Sequence, residues 1–204
     1  KTKSLFISLK QNVNTLGLIF DNCRLESVEA HKHLGITFNN KLTWADHIDN
    51  VYTSANIKVV LLAKLKYILD RKTLFNMYTT FVRPCLEYGN VIWNSCSEAE
   101  SDKLESIQRR AMRIITGCIT RTSTQLLYQE TGLETLAIRL ERHNLLLFHK
   151  IVNGNIPPYL EELKPILNEI RHQRNLRSNN NFSAPSCKIS KYQQSFLPNA
   201  IKLW

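Results

Sequence analysis

The residues most able to do chemistry near the start of the chain are three histidines. His31 and His33 alternate in the stretch HKHLGITF, so they share one face if that stretch is a strand, and His47 follows closely. Imidazole is a common zinc ligand, but a zinc site needs three or four protein ligands. A site made of these three histidines is one open hypothesis, although we predict no metal site in this chain.

The acidic residues give no sign of a catalytic centre. A polymerase or nuclease holds Mg²⁺ with closely placed carboxylates. The five aspartates include no adjacent pair; they are Asp21, Asp46, Asp49, Asp70 and Asp102. The six glycines are scattered singly, so the sequence has neither a Gly-rich phosphate loop nor a nucleophile elbow. We predict no catalytic residue in this chain.

Basic residues carry a stronger signal. Lys and Arg total 27 against 17 Asp and Glu, which gives a net charge of +10. On the predicted helix that begins near residue 100, Arg109, Arg110 and Arg113 lie on the face opposite the apolar residues. Clustered cations bind phosphate by releasing condensed counterions. The pattern therefore predicts nucleic-acid binding by these three arginines.

The C-terminal segment is also basic. Residues 171–204 contain six Lys and Arg and no acid, and Arg171, Arg174 and Arg177 recur at three-residue steps. We predict that these three arginines bind nucleic acid as well. The alternative is a solvated basic tail without a partner.

Length and composition restrict the class of protein. The 204 residues are 43% hydrophobic, enough for at least one folded core. No apolar run approaches the length of a membrane span, and KTKSLFISLK lacks the apolar centre of a signal peptide. The five widely spaced cysteines predict reduced thiols. We expect a soluble intracellular protein of the cytoplasm or nucleus that does not engage a membrane.

Hydrophobic periodicity changes close to residue 43. Short apolar or alternating runs before it predict a small antiparallel sheet: residues 4–9, 15–20 and 33–38. After it, apolar residues recur at three- and four-residue steps, which is typical of helices. The predicted fold class is α+β and mainly α, with short N-terminal strands before a helical bundle. We divide the chain into a strand region, a helical domain and a basic, partly disordered segment: 1–42, 43–170 and 171–204.

Local signals predict where the helices begin and end. Thr43-Trp44-Ala45-Asp46 has the form of a capping box and should start the first helix. Pro84 lacks an amide hydrogen and should bend or end the helix before it. Ser97 or Ser101 should cap the next long helix, and Gly117 should end it in a left-handed conformation.

A series of short motifs occurs in a recognisable order. After Lys1-Thr2-Lys3 come His33-Leu34-Gly35, Leu42-Thr43-Trp44 with His47-Ile48, Leu86-Glu87-Tyr88-Gly89 with Trp93, Ile107-Gln108-Arg109-Arg110, and Ile114-Ile115 before a Gly-containing turn. Leu197-Pro198 and the closing Ala200-Ile201-Lys202-Leu203-Trp204 complete the series. Over most of the chain this order resembles the C-terminal part of reverse transcriptases from non-LTR (LINE-type, jockey-like) retrotransposons.

The resemblance implies that HKHLGITFNNKLTW is a junction between two domains. In that family the palm ends in a hairpin that carries the primer grip, and His33, Leu34 and Gly35 match it. His33 replaces the aromatic residue that is usual there. The helical thumb of the family matches this chain from Leu42 onward.

The resemblance also implies that the catalytic parts lie elsewhere. In the family, the paired aspartates that bind the catalytic metals lie upstream of this region, and the fingers and endonuclease lie further upstream. We expect a fragment or truncated copy of an RNA-directed DNA polymerase that binds RNA, DNA or an RNA–DNA duplex and works with the missing palm and fingers domains. It should need no cofactor of its own, since Mg²⁺ is expected only in the complete polymerase. The alternative is a helical protein-interaction or scaffold domain whose basic tail is incidental.

Overall fold

The structure is a computed structural model that describes residues 2–8, 17–119, 121–166, 182–183, 185–186 and 188–204. It is mainly helical with short N-terminal strands, which confirms the predicted α+β class. The chain divides into two compact units: Lys1–Leu86 with Cys96–Thr131, and Glu87–Ser95 with Gly132–Trp204. The division at residues 42 and 170 stays a prediction.

The described strands are short: β1 (Lys3–Ser4), β2 (Ile19–Phe20), β3 (Cys23–Arg24), β4 (Glu26–Ser27), β5 (Ala30–His33) and β6 (Ile36–Asn39). The pairs β2–β3 and β5–β6 are antiparallel, as expected, but the described strands do not join into one small sheet. The strands form three separate two-stranded ladders, and β1 pairs with β4 in parallel. Asp21 and Asn22 both have positive φ and turn the chain back directly after β2, which brings β3 beside β2.

Two long helices form the core of the first unit, α1 (Ala45–Leu65) and α5 (Glu98–Thr116). Lys103 Nζ lies 2.5 Å from Asp49 Oδ1, and Arg110 Nη1 donates to Asn56 Oδ1 at 2.7 Å. Both contacts join residues that are 54 apart in sequence. The two helices therefore run parallel with a fixed register.

A continuous helical stretch follows α1, with α2 (Arg71–Met77), a π-helical turn (Tyr78–Val82) and α3 (Arg83–Glu87). Pro84 was expected to bend or end the preceding helix, but the helical conformation continues through it. A proline in an α-helix clashes with the carbonyl four residues earlier and leaves that carbonyl without a donor. The wider π turn directly before Pro84 absorbs this mismatch, as such turns do at helix irregularities.

The remaining described helices are α4 (Asn90–Trp93), α6 (Thr124–Thr131), α7 (Leu136–Val152), a 3₁₀ helix (Pro158–Leu163), α8 (Ser190–Gln193) and α9 (Phe196–Leu203). In the second unit, α7 packs against α4 and α9. Phe148 is fully buried there, with its ring centroid 5.4 Å from that of Trp204. Helix α9 lies within the basic C-terminal segment, for which no helix was predicted.

The predicted helix ends have mixed outcomes. Ser97 forms a complete capping box with Glu100, and Gly117 ends α5 with a φ of 71°, so both predictions are confirmed. The capping box at Thr43 is wrong, because α1 begins after Trp44 without a side-chain cap. Among the described helices, none combines the length and apolar content that a membrane span requires.

Candidate nucleic-acid interface

The stretch that resembles a primer grip forms a tight hairpin. His33 pairs with Ile36 across β5 and β6, which leaves only Leu34 and Gly35 in the turn. Their φ angles are 45° and 85°, the positive values of a type I′ turn. Leu34 is 77% exposed, so the tip of the hairpin presents its backbone and this side chain to solvent.

The base of the hairpin is fixed to the start of α1. The rings of Phe38 and Trp44 meet edge to face with centroids 5.8 Å apart. The Thr37 amide donates to His47 Nδ1 at 3.4 Å, and Ile36 is buried. These contacts hold the exposed tip at a defined position relative to α1.

Asn39 makes a second link between the hairpin and α1. Its Nδ2 donates to Thr43 Oγ1 at 2.6 Å and to Asp46 Oδ2 at 3.1 Å, and its Oδ1 accepts from the Thr43 amide at 2.8 Å. Thr43 and Asp46, which the sequence assigned to a capping box, therefore bind Asn39. This explains why the predicted cap is not formed. Asn39 was not among the predicted site residues, and the Asn-Asn pair at the end of β6 is the sequence signal that could have identified it.

The three N-terminal histidines do not come together. His31 and His33 are exposed on β5, whereas His47 is buried on α1 with its Nδ1 engaged by Thr37. Burial, and then the charge of Lys32, lower the pKa of His47 below its usual 6.5. No group of three or more His, Cys, Asp or Glu in the described ranges is arranged to hold a metal ion. His47 instead positions the hairpin.

The three predicted arginines of α5 lie around its outward side. Arg110 is exposed at the edge next to α1, where it donates to Asn56. Arg109 is half-buried, and its guanidinium reaches the Asp102 carbonyl at 3.5 Å. Arg113 is half-buried as well, and its Nε is shielded from solvent without a hydrogen bond in the described part of the chain. The arginines thus form a row along the C-terminal half of α5, with part of their hydrogen-bonding capacity used inside the protein.

Charge is polarised along the α1–α5 pair. The N-terminal portions carry acids: Asp46, Asp49, Glu98, Glu100 and Asp102. The C-terminal portions carry cations: Lys64, Arg109, Arg110 and Arg113. Because the helices run parallel, like charges gather at the same end of the pair. This arrangement also suits the helix dipoles, which favour acids at N-termini and cations at C-termini.

A polar cluster inside the first unit holds α5 against its neighbours. The Tyr78 hydroxyl donates to Gln108 Oε1 at 2.5 Å, and both residues are fully buried. On the other side the Tyr128 hydroxyl of α6 donates to Glu105 Oε1, and Gln108 Nε2 donates to the same carboxylate at 3.1 Å. Burial, and then the hydrogen bond to Glu105, raise the pKa of Tyr128. The cluster fixes the rotation of α5 and hence the direction of its arginines.

The predicted nucleic-acid contacts of the C-terminal segment are not described by the structure, and two further lysines join the basic residues of the first unit. Arg171, Arg174 and Arg177 lie outside the described residues, so their role stays a prediction. Lys64 and Lys66, which the sequence analysis did not select, lie at the basic end of α1. Their alternation beside a tyrosine in KLKY was the signal that could have identified them.

The chain is similar in sequence to RNA-directed DNA polymerases of mobile elements. It is 26% identical over 120 residues to the probable RNA-directed DNA polymerase from transposon X-element and 26% identical over 125 residues to that from transposon BS, both of Drosophila melanogaster. It is 30% identical over 92 residues to the RNA-directed DNA polymerase from mobile element jockey of the same species. The predicted resemblance to non-LTR retrotransposon reverse transcriptases is confirmed.

The extent of these matches is limited on both sides. They cover 56%, 58% and 44% of this chain, but only 13%, 14% and 10% of the three polymerases. The chain therefore spans a small part of the length of these polymerase relatives. No protein-family model and no solved structure gives a significant match.

Proposed function

We propose that this chain is part of the RNA-directed DNA polymerase of a non-LTR retrotransposon, from the C-terminal region where the palm leads into the thumb. Its role is to bind the primer–template duplex. The catalytic carboxylates and the Mg²⁺ ions that they hold belong to other parts of that polymerase. The similarity to three transposon polymerases is the observation that carries this proposal.

The hairpin supplies the primer-grip part of the proposal. A two-residue turn with a glycine lets backbone approach a nucleic-acid strand closely. His33, Leu34 and Gly35 lie at this exposed tip, while Phe38 and His47 hold the base against α1. In the complete polymerase, this tip contacts the end of the primer strand.

The arginines of α5 supply the duplex-binding part. Arg109, Arg110 and Arg113 lie along about one turn of helix, a length of about 6 Å at a rise of about 1.5 Å per residue. Phosphates along one strand of a duplex follow at a comparable spacing, so the row can contact the phosphates of one strand. Arg171, Arg174 and Arg177 extend the same proposal to the C-terminal segment.

The test compares the affinity of the chain and its variants for a fluorescein-labelled RNA–DNA duplex, measured by fluorescence anisotropy at low salt. We expect Arg109→Ala and Arg113→Ala to weaken binding to every duplex sequence alike, because phosphate contacts carry no base information. In a plot of log Kd against the logarithm of the salt concentration, the slope of each variant should be smaller than that of wild type by about 0.9, the value of one phosphate contact.

Arg142→Ala is the matched control. Arg142 is an exposed arginine of α7 that pairs with Glu134 and has no part in the proposed interface. Circular dichroism should show that all three variants keep the helical content of the wild type. Equal affinity of Arg109→Ala, Arg113→Ala and wild type would overturn the assignment of α5.

A protein-interaction role is the second candidate, and one observation favours it. On α1 the exposed apolar residues Ile57, Val60 and Leu61 share a face opposite the buried Ala55 and Val59. Such a face often marks contact with another protein surface. Sedimentation equilibrium tests it: a dimer that Leu61→Glu dissociates supports a contact between copies, and a monomer at all concentrations opposes it.

A further inference from the structure

The loop between α1 and α2 displays an aromatic ring on an ordered turn. Tyr67 is 83% exposed and Ile68 is 78% exposed. The turn that carries them is hydrogen-bonded, since the amides of Ile68 and Leu69 both donate to the Leu65 carbonyl at 3.0 Å. Tyr67 is thus presented at a defined place rather than on a random tail.

Three lysines lie close to this ring in sequence, together with one exposed acid, Asp70. Lys64, Lys66 and Lys72 are exposed, and within the described part of the chain none of the three forms an ion pair. Lys66 Nζ lies 4.7 Å from the centroid of the Tyr67 ring, in the geometry of a cation–π contact.

Arg71 behaves differently from the three lysines. Its Nη1 donates to Glu130 Oε1 at 2.6 Å and its Nη2 to the Glu130 carbonyl at 2.7 Å, which anchors the start of α2 to α6. The carboxylate of Glu130 is therefore occupied by Arg71. The positive charge of the lysines stays available to a ligand.

The parallel register of α1 and α5 places this loop beside the arginine row. Asn56 is level with Arg110, so two further turns bring Ala63 level with Gly117. The loop after α1 and the end of α5 consequently lie at the same, basic end of the helix pair. A strand whose phosphates contact Arg113 comes close to Lys64.

The chemistry of the loop fits one kind of ligand. An exposed ring stacks on the flat face of a base, and the cations beside it hold the phosphates on either side. Inside a duplex, both faces of every base are already covered by its neighbours. Away from the ends of a duplex, only an unpaired nucleotide offers a free face to Tyr67.

We propose that Tyr67 stacks on an unpaired base of a strand that extends beyond the primer–template duplex, with Lys64, Lys66 and Lys72 contacting its phosphates; this inference rests on the proposed function. It adds to that function a binding site for single-stranded template or primer next to the duplex. The site uses residues outside both the primer-grip-like hairpin and the arginine row.

The test uses the full chain and two forms of one RNA–DNA duplex, blunt or carrying a short overhang with 2-aminopurine as its first unpaired base. Overhangs of either strand and either end are compared. We expect wild type to prefer one overhang form over the blunt duplex and to change the fluorescence of its 2-aminopurine. Tyr67→Ala should lose roughly 5- to 150-fold in affinity for that form, the range for single stacked bases, and leave the affinity for the blunt duplex unchanged.

Two further variants separate stacking from other effects. Tyr67→Phe keeps the ring and should bind the overhang as wild type does. Tyr159→Ala is the matched control, because Tyr159 is 78% exposed but is followed closely by the acids Glu161 and Glu162, and it should change neither affinity. Lys64→Gln and Lys66→Gln should weaken overhang binding and reduce its salt dependence.

Several results would overturn the inference. The blunt duplex could bind with a clear salt dependence while no overhang form binds better than the blunt form. That result refutes the stacking site and leaves the proposed function intact. An equal loss on both duplexes in Tyr67→Ala refutes it as well. A poly-glutamate peptide could also displace the overhang. If that peptide binds Tyr67→Ala as tightly as it binds wild type, the loop is a site for acidic proteins and the stacking site is refuted. If neither duplex binds, the proposed function and this inference fail together.

Discussion

Removing the buried hydrogen bond between Tyr78 and Gln108 should destabilise the first unit, and the effects of replacing the two residues should not be additive. The two residues are fully buried, and the hydroxyl and the amide oxygen lie 2.5 Å apart. Gln108→Leu keeps the side-chain volume approximately but removes the acceptor of the Tyr78 hydroxyl, together with the amide that donates to Glu105. Tyr78→Phe removes only that hydroxyl and leaves the amide oxygen without this donor.

Each single replacement should lower the free energy of unfolding of the first unit by about 1 to 3 kcal/mol, the desolvation cost of a buried polar group that loses its partner. The double variant should cost clearly less than the sum of the two, because replacing both partners removes the polar groups together. The coupling energy between Tyr78 and Gln108 should therefore be about 1 to 2 kcal/mol.

Hydrogen exchange followed by mass spectrometry is a suitable assay, because it reports the free energy of local opening for peptides from α5 separately from those of the second unit. Gln125→Leu, at an exposed position of α6, is the control and should change the free energy by no more than about 0.5 kcal/mol. Additive single effects in the double variant would refute the reasoning. So would a Gln108→Leu variant that exchanges more slowly than wild type.

Three more predictions concern single residues. Burial lowers the pKa of His47 from its usual 6.5, so His47 binds a proton more tightly in the unfolded chain than in the folded one. The free energy of unfolding should therefore be at its full value above a pH of about 6.5 and should fall as the pH decreases below it. Urea unfolding across this range should show the effect, and His47→Gln should abolish it. Gly35→Ala should cost about 1 to 2 kcal/mol in thermal unfolding, because its φ of 85° disfavours any residue with a Cβ. Arg139→Met should cost about 2 to 4 kcal/mol in urea unfolding, since Glu87, only 14% exposed, loses its partner at 2.5 Å. The exposed Arg142→Met should have a much smaller effect, and equal effects of the two arginine variants would contradict the argument from burial.

Helix positions and core faces were the most predictable part of the fold. Helical spacing predicts an apolar face of α5 made of Leu104, Ile107, Ala111, Ile114 and Ile115; four of the five are buried and Ile114 is half-buried. Ser97 and Gly117 mark the ends of that helix, as predicted. These features depend on residues within one or two helical turns, so the local sequence determines them.

Features that depend on distant contacts were not predictable. Thr43 has the sequence pattern of a cap, but its hydroxyl and its amide are both hydrogen-bonded to Asn39 of the preceding strand. The continuation of helix through Pro84 depends on a π turn, which has no reliable sequence signal. The same holds for the pairing of β1 with β4, which joins strands separated by more than twenty residues.

The candidate site was partly predictable. The strand predicted from periodicity over residues 33–38 is wrong at its start, because Leu34 and Gly35 form a two-residue turn there; only the family resemblance implied a hairpin at this place. Helical spacing placed Arg109, Arg110 and Arg113 on one side of a helix, but not the contact of Arg110 with Asn56. The basic end of the helix pair follows from the parallel register of α1 and α5, which periodicity within each helix does not specify.

The salt dependence of duplex binding by the unmodified chain tests the central claim most directly. The affinity for an RNA–DNA duplex would be measured by anisotropy from about 50 mM to about 200 mM KCl. If Arg109, Arg110 and Arg113 each contact a phosphate, log Kobs should fall against log salt with a slope of about −2.7 or steeper. A flat dependence, or no binding at the lowest salt concentration, would contradict a role in holding the primer–template.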